Sequence, residues 1–234
     1  MFNLGLEKML TIFKEKINEK SFNEEDKKIL LFFNSLVKNK QYKYLEVGSG
    51  EGRFPFLIEK LYTNFKIECL EINQDLAKAT ISSGLATTIG DISKMPYNDE
   101  SFDIVHCSHV IEHLGYPEIS FALNHLIRVV KINGYVIIRS PLWHKGFYLD
   151  IDHIRPYPPE TILNFFKNRQ QQKTGVGNFE VVNLWYRRGQ LKIYNIGLSK
   201  VKYYTNGLLA LLYSYFKFPF SNKNGYILIL KKSR

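Results

Sequence analysis

The stretch "KYLEVGSGEGRF", residues 43–54, constrains the fold more than any other part of the chain. An apolar run ends in Gly48, Gly50 and Gly52, and a second apolar-periodic segment follows at once. A strand, glycine turn and helix in that order belong to a parallel α/β sheet. The turn can cradle a dinucleotide, a nucleoside triphosphate or an adenosyl group. A dinucleotide fingerprint needs glycine or alanine three residues after the second glycine, where this chain has Arg53. A nucleotide phosphate loop ends in Gly-Lys-Ser/Thr, which is absent here. Both phosphate readings lose ground.

Three acids follow the expected strands. Glu46 stands next to last in "YKYLEV", Glu71 closes "FKIECLE" and Asp91 closes "LATTIGD". Ligands of open α/β sheets bind at the carboxyl ends of strands, and a carboxylate at the second can accept vicinal ribose hydroxyls. A pocket rimmed by acids suits a cationic ligand without phosphates. S-adenosylmethionine, with its sulfonium and amino group, is such a ligand.

The rest of the chain keeps the strand–helix alternation. "RFPFLIEKLY" reads as a helix with Pro55 in its first turn, and "QDLAKATISSG" as a helix closed by Gly84. "SFDIVHCSHV" reads as the fourth strand, "YPEISFALNHLIRVVKING" as a helix ending near Gly134, and "YVIIRSP" as the fifth strand. After a loop rich in aromatics and histidine, "PPETILNFFKN" reads as a helix, and "NFEVVNLWYRR" and "NGYILILKKS" as strands. Between those strands lies a long insertion, residues 187–223. At the other end, Phe2, Leu6, Met9, Phe13 and Ile17 stand at helical spacing, and a second helix is expected over residues 23–38.

Four segments, "YLEVGSGEGRF", "LEIN", "GDISKMPYNDESFDIVHCSHVIEHL" and "LIRVVKINGYVIIRSP", together resemble the class I S-adenosylmethionine-dependent methyltransferases. The branch is the broad one that includes small-molecule and sugar methyltransferases, and the resemblance covers residues 40–142. It implies an α/β, Rossmann-like fold with a seven-stranded, mostly parallel sheet, an antiparallel last strand and helices on both faces. Residues 1–40 become an N-terminal helical flank, and 41–234 the methyltransferase domain with its insertion. The resemblance assigns the methionine part of S-adenosylmethionine to Glu46, Gly48, Ser49 and Gly50. It gives the ribose to Glu71, with Ile72 against the adenine, and the adenine amine to Asp91 with Ile92. Cys107, Ser108 and His109 would lie near the methyl group. Glu46 stands where the family usually has Asp.

Methyl transfer to a hydroxyl is helped by a general base, for which His is suited at neutral pH. His109, His113, His144 and His153 are candidates. "DIDHIRPYPP" resembles the loop after the fifth strand in methyltransferases that act on sugars and surface glycans. On these resemblances His153 and His113 are the expected catalytic histidines, with Asp152 or Asp150 orienting His153. His109, His144 and Arg155 would bind the acceptor, Arg155 through an anionic group. His109 and His113 also stand four apart, and Asp150 and Asp152 lie near one another; the carboxylates would suit Mg²⁺ better than Zn²⁺, but without a convincing third ligand no metal site is expected.

The expected acceptor is an oxygen of a sugar or other glycan-pathway intermediate, with a lipid or quinone-like molecule or RNA as alternatives, or no catalysis at all in a cofactor-binding regulatory subunit. The chain lacks the Asn/Asp-Pro-Pro-aromatic motif of base-amine methylation, so nucleic acid is not the expected partner. A net charge of +10 keeps RNA an alternative and fits equally a lysine-rich surface. "NGLLALLYSYFKFPF" is apolar with flanking lysines, and it is read as a pocket cover or homodimer contact ahead of a peripheral membrane helix. The first twenty residues mix acids and bases and no apolar run reaches about 18 residues. With both cysteines inside apolar runs, a cytoplasmic setting is expected.

Overall fold

The computed structural model describes residues 24–37, 39–171, 179–190, 199–216 and 220–233. The helix expected over residues 2–19 lies outside them. The chain divides into two units, Met1–Lys40 and Gln41–Arg234. In the first, α1 (Glu24–Asn34) opens with Glu24, Glu25 and Asp26, which complement the positive end of the helix dipole, and buries Ile29, Phe32 and Phe33.

The second unit holds a seven-stranded sheet. Its strands are β1 (Tyr42–Val47), β2 (Phe65–Glu71), β3 (Ala86–Ile89), β4 (Phe102–Ser108), β5 (Val130–Pro141), β6 (Phe179–Gln190) and β7 (Phe220–Lys232). They lie in the order β3-β2-β1-β4-β5-β7-β6. β1 to β5 run parallel, and β7 runs antiparallel to both of its neighbours. The helices are α2 (Arg53–Leu61), α3 (Gln74–Ser82), α4 (Glu118–Val129), α5 (Pro159–Gln171) and α6 (Ser199–Phe216). The seven-stranded, mostly parallel sheet with its antiparallel last strand is the expected one.

The central strands are apolar at consecutive positions because both sheet faces are covered. Val136 and Ile138 join Val105, Leu126 and Leu228 in one core, while Ile137, pointing the other way, is also fully buried. Burying a side chain of this kind is worth about 1.5–3 kcal/mol, so neither face is dispensable. Polar groups set the joints. Asn73 Oδ1 accepts the amides of Asp75 and Leu76 and starts α3. Asp103 accepts the amide of Lys43 at 3.0 Å and the Lys131 ammonium at 2.9 Å, tying three strands together.

Two boundaries differ from those expected. α4 ends at Val129 and β5 begins at once, ahead of Gly134. The β-branched pair Val129–Val130 favours extended backbone, and a register shift opposite Phe102/Ile104 lets Asn133 adopt φ 63°. Gly134 is needed there, since a Cβ would stand 2.8 Å from the Asp103 carbonyl oxygen. The insertion is also shorter than 187–223. β6 continues to Gln190 and pairs with β7 from Phe220 onward, because the ladder persists through Arg188↔Lys223 and Gln190↔Phe220. α6 lies between, and residues 191–198 and 217–219 are outside those described. Among the described residues, no helix is long and apolar enough to cross a membrane.

Candidate active site

A cavity of about 420 Å³ opens at the carboxyl ends of β1, β2 and β3, a size usual for ligand sites. Gly48, Gly50, Glu71 and Asp91 form one side, and His109 and His113 belong to its lining. The turn after β1 is shaped for a close ligand. Gly48 has φ +71°, and a Cβ on it would stand 2.3 Å from Val110 Cγ2. Gly50 has φ +54° and nothing within 4 Å of where its Cβ would be. It offers bare backbone to the cavity.

Glu71 grips this turn. Its Oε2 accepts the Gly50 amide at 2.7 Å and its Oε1 the Asn73 amide at 2.9 Å. Each carboxylate oxygen keeps a lone pair for a hydroxyl. Ile72, next along, is 66% exposed and lines the cavity as an apolar plate. Asp91 also lines it while its Oδ1 accepts the Ser93 amide at 2.7 Å. Ile92 completes that rim with a buried side chain. Bare backbone, an apolar plate and two carboxylates without a lysine or arginine fit an adenosyl sulfonium and oppose a pyrophosphate. Glu71→Ala is expected to weaken S-adenosylmethionine binding by about 10- to 100-fold in isothermal titration, the worth of hydrogen bonds to a charged group. Unaltered affinity would remove Glu71 from the site.

Several expected ligands stand elsewhere. Glu46 is not part of the cavity lining. Strand alternation turns Leu45 and Val47 into the main core and Glu46 to the opposite face. There its Oε2 meets the Tyr44 hydroxyl and, at 2.9 Å, His106 Nδ1. Two strand-end acids, not three, face the cavity. Cys107 is wholly buried among core side chains, and Ser108 continues the strand beside Arg139; neither lines the cavity. Ser49 turns its hydroxyl into the protein.

The buried thiols are inert by position. Burial, then the Glu46 charge, pushes Cys69 up to about 12, and burial holds Cys107 well above its ordinary range. Both raised values mean neutral thiols in the fold. The stability they contribute is full below the ordinary value of 9.0 and is lost as pH rises toward 12. A thiol reagent at about pH 8 is expected to label neither cysteine in the native chain and both in urea; rapid native labelling would contradict this burial.

The wall opposite the glycine turn holds a dyad that the sequence did not single out. His109, at φ +55°, places Nδ1 2.9 Å from Glu112 Oε1. The carboxylate can only accept, so Nδ1 carries the hydrogen and Nε2 keeps its lone pair. Glu112 is 0% exposed, and its Oε2 accepts the Ser140 hydroxyl at 3.1 Å. The only hint in the sequence was Glu112 three residues after His109, a spacing that a helical turn brings together. Val110, which packs on Gly48, was equally unmarked.

The loop after β5 folds back toward this wall. The amides of Ile154 and Arg155 donate to the Glu112 carbonyl at 2.9 and 3.2 Å. His153 comes within 4.9 Å of His113, ring centre to ring centre. Of the two acids expected to orient His153, Asp152 does not pair with it. Asp152 offers its carbonyl to His113 Nδ1 at 3.0 Å, and the carboxylate near His153 Nε2, at 3.7 Å, is that of Asp150. His144 and Arg155 lie off the cavity lining. His144 Nδ1 accepts the Gly146 amide at 3.0 Å, and burial, with the Arg187 and His153 charges, holds its pKa below the usual value. Arg155 lies exposed with its guanidinium 5.8 Å from the Tyr157 ring centre.

Comparison with known proteins agrees with this geometry. Residues 45–138 match a family model described as a methyltransferase domain. The chain is similar to the ajmaline N-methyltransferase of Rauvolfia serpentina, 33% identical over 113 residues, 44% of this chain and 37% of that protein. It is also similar to the methyltransferase str2 of Strobilurus tenacellus, 27% identical over 105 residues, 45% of this chain and 38% of that protein. The matched stretches are therefore well under two thirds of those relatives' lengths. Among solved structures, a SAM-dependent methyltransferase from Archaeoglobus fulgidus superimposes with a TM-score of 0.61 over 95% of this chain and 99% of that one, at 22% identity, a likeness of fold. Residues 45–138 thus carry a methyltransferase domain, and the sheet around them has the fold of the S-adenosylmethionine-dependent methyltransferases.

Proposed function

We propose that the chain methylates a hydroxyl oxygen on a sugar or other glycan-pathway intermediate. The observation that carries the oxygen acceptor is the His109–Glu112 dyad in the wall of the cofactor cavity. A hydroxyl must lose a proton as its oxygen is alkylated, and an imidazole oriented by a buried carboxylate is placed to take it. Bound S-adenosylmethionine supplies a methyl group already activated on sulfonium sulfur. Glu71 would hold its ribose hydroxyls, Asp91 the adenine amine, and the turn at Gly48–Gly50 its methionine end. His109 Nε2 takes the acceptor's proton, and Glu112 fixes the tautomer and stabilises the imidazolium. Closure of the site by the 143–154 loop would keep water from the reacting oxygen.

Exposed Trp143 and Tyr148, among His144 and Asp150 on that loop, support the sugar class, since aromatic faces and polar groups together suit a pyranose. A lipid or quinone-like acceptor is the second reading. It is favoured by Leu149, Ile151 and Ile154, also exposed on the loop, and by Tyr204, Leu208, Leu211 and Tyr215 along one side of α6. Free, buried Cys69 and Cys107 fit a reducing, cytoplasmic setting. The deciding experiment measures formation of S-adenosylhomocysteine by the purified chain over sugar nucleotides, isolated glycans, hydroquinones, phenolic lipids and RNA. Turnover with a saccharide alone supports the first reading and turnover with a hydroquinone alone the second. Cofactor binding without turnover on any of them supports a regulatory subunit.

A further inference from the structure

We propose that Glu112, His113 and His153 bind one divalent transition-metal cation at the edge of the cofactor cavity. The ligand atoms that these three side chains offer all lie within 4.8 Å of one another. The group could not be assembled from the sequence, because His153 arrives only through the fold of the loop after β5. Five hydrogen bonds hold the pieces: those of the Ile154 and Arg155 amides to the Glu112 carbonyl, of His113 to the Asp152 carbonyl, of His153 to the Phe147 carbonyl, and of the Asp152 amide to Asp150.

The tautomers carry the argument further. His113 Nδ1 lies 3.0 Å from the Asp152 carbonyl oxygen, and His153 Nδ1 lies 2.7 Å from the Phe147 carbonyl oxygen. A carbonyl can only accept, so each Nδ1 bears the hydrogen and each Nε2 is left with a lone pair. Backbone carbonyls orient metal-binding histidines in this way, and ligating carboxylates are themselves hydrogen-bonded. Glu112 meets that condition through His109 and Ser140. It is also a carboxylate buried completely in the protein, which a cation would compensate. Bonds of about 2.0–2.2 Å would draw the three atoms inward by side-chain rotation.

Two imidazoles and a carboxylate select zinc-like ions such as Zn²⁺, Co²⁺ or Mn²⁺ over Mg²⁺ and Ca²⁺. Three protein donors leave a coordination position open, as in catalytic sites. His113 also lines the cofactor cavity, so an acceptor oxygen could take that position and deprotonate more readily. This role rests on the oxygen-transfer reading, whereas the binding itself does not.

The test uses the full chain, free of any histidine tag and stripped with a chelator. Zn²⁺ alone is titrated calorimetrically, and Co²⁺ alone is followed by its visible d–d absorption. The expected result is one cation per chain, with a binding constant at least about tenfold weaker in His153→Ala and in His113→Ala. Folding of each variant is checked by its melting curve and circular dichroism, so a misfolded variant is replaced by His153→Gln or His113→Gln. No stoichiometric binding by the wild type, or full affinity in both alanine variants, overturns the site. Loss of cofactor binding by the wild type would overturn the methyltransferase reading and leave the metal result standing.

Discussion

His109→Ala is expected to lower kcat by about 10²–10⁴-fold while S-adenosylmethionine affinity stays within about twofold of wild type. The split follows from position. The glycine turn, Glu71 and Asp91 would hold the cofactor, and none of them contacts His109 through a hydrogen bond. Truncation at His109 takes away a proton acceptor and leaves the cofactor's polar partners whole. Added imidazole should restore part of the rate, because truncation leaves room beside the acceptor. Glu112→Gln should also lower kcat, for a different reason. A glutamine amide can donate toward Nδ1, which would move the hydrogen to Nε2 and block the base. Imidazole should not rescue that variant. Turnover within threefold of wild type in His109→Ala would end the base assignment.

The sheet was legible in the sequence because its signals are local. Glycines follow strands, acids close them, and apolar runs mark strands covered on two faces. One side of the cavity was legible for the same reason, since Gly48, Gly50, Glu71 and Asp91, which line it, follow or close strands. Glu46 misled because it stands near a strand end, one residue before Val47, and that parity turns it toward Tyr44 and His106. The acceptor side was read poorly because its chemistry is made by contacts between segments. Asp152 is adjacent to His153 in sequence, yet neighbours in an irregular loop point apart, and Asp150 takes the place beside it. His113 meets His153 across 40 positions, a pairing that depends on backbone hydrogen bonds to Glu112. The end of α4 was misplaced because "RVVKING" continues an apolar period that the β-branched residues and Gly134 override.

Gly48→Ala is expected to abolish useful cofactor binding, weakening it at least about 100-fold, and to lower stability by about 3 kcal/mol. At roughly 2–4 °C per kcal/mol for a chain of this size, the melting temperature should fall by about 6–12 °C. Two causes combine. The backbone at φ +71° is strained for any residue with a Cβ, at about 1–2 kcal/mol. The new methyl would also stand 2.3 Å from Val110 Cγ2, so either the glycine turn or the segment after β4 must move. That segment carries His109, Glu112 and His113, and the clash therefore reaches both sides of the cavity. The causes are separable. Gly50→Ala meets the same backbone strain at φ +54° but no atom within 4 Å, so it should cost only the strain while still placing a methyl in the cavity. Gly48→Ala combined with Val110→Ala should recover the packing part of the stability loss and not the backbone part. Equal losses in the two glycine variants, with no recovery in the double variant, would mean that Gly48 is required for its φ alone and that Val110 does not brace the turn.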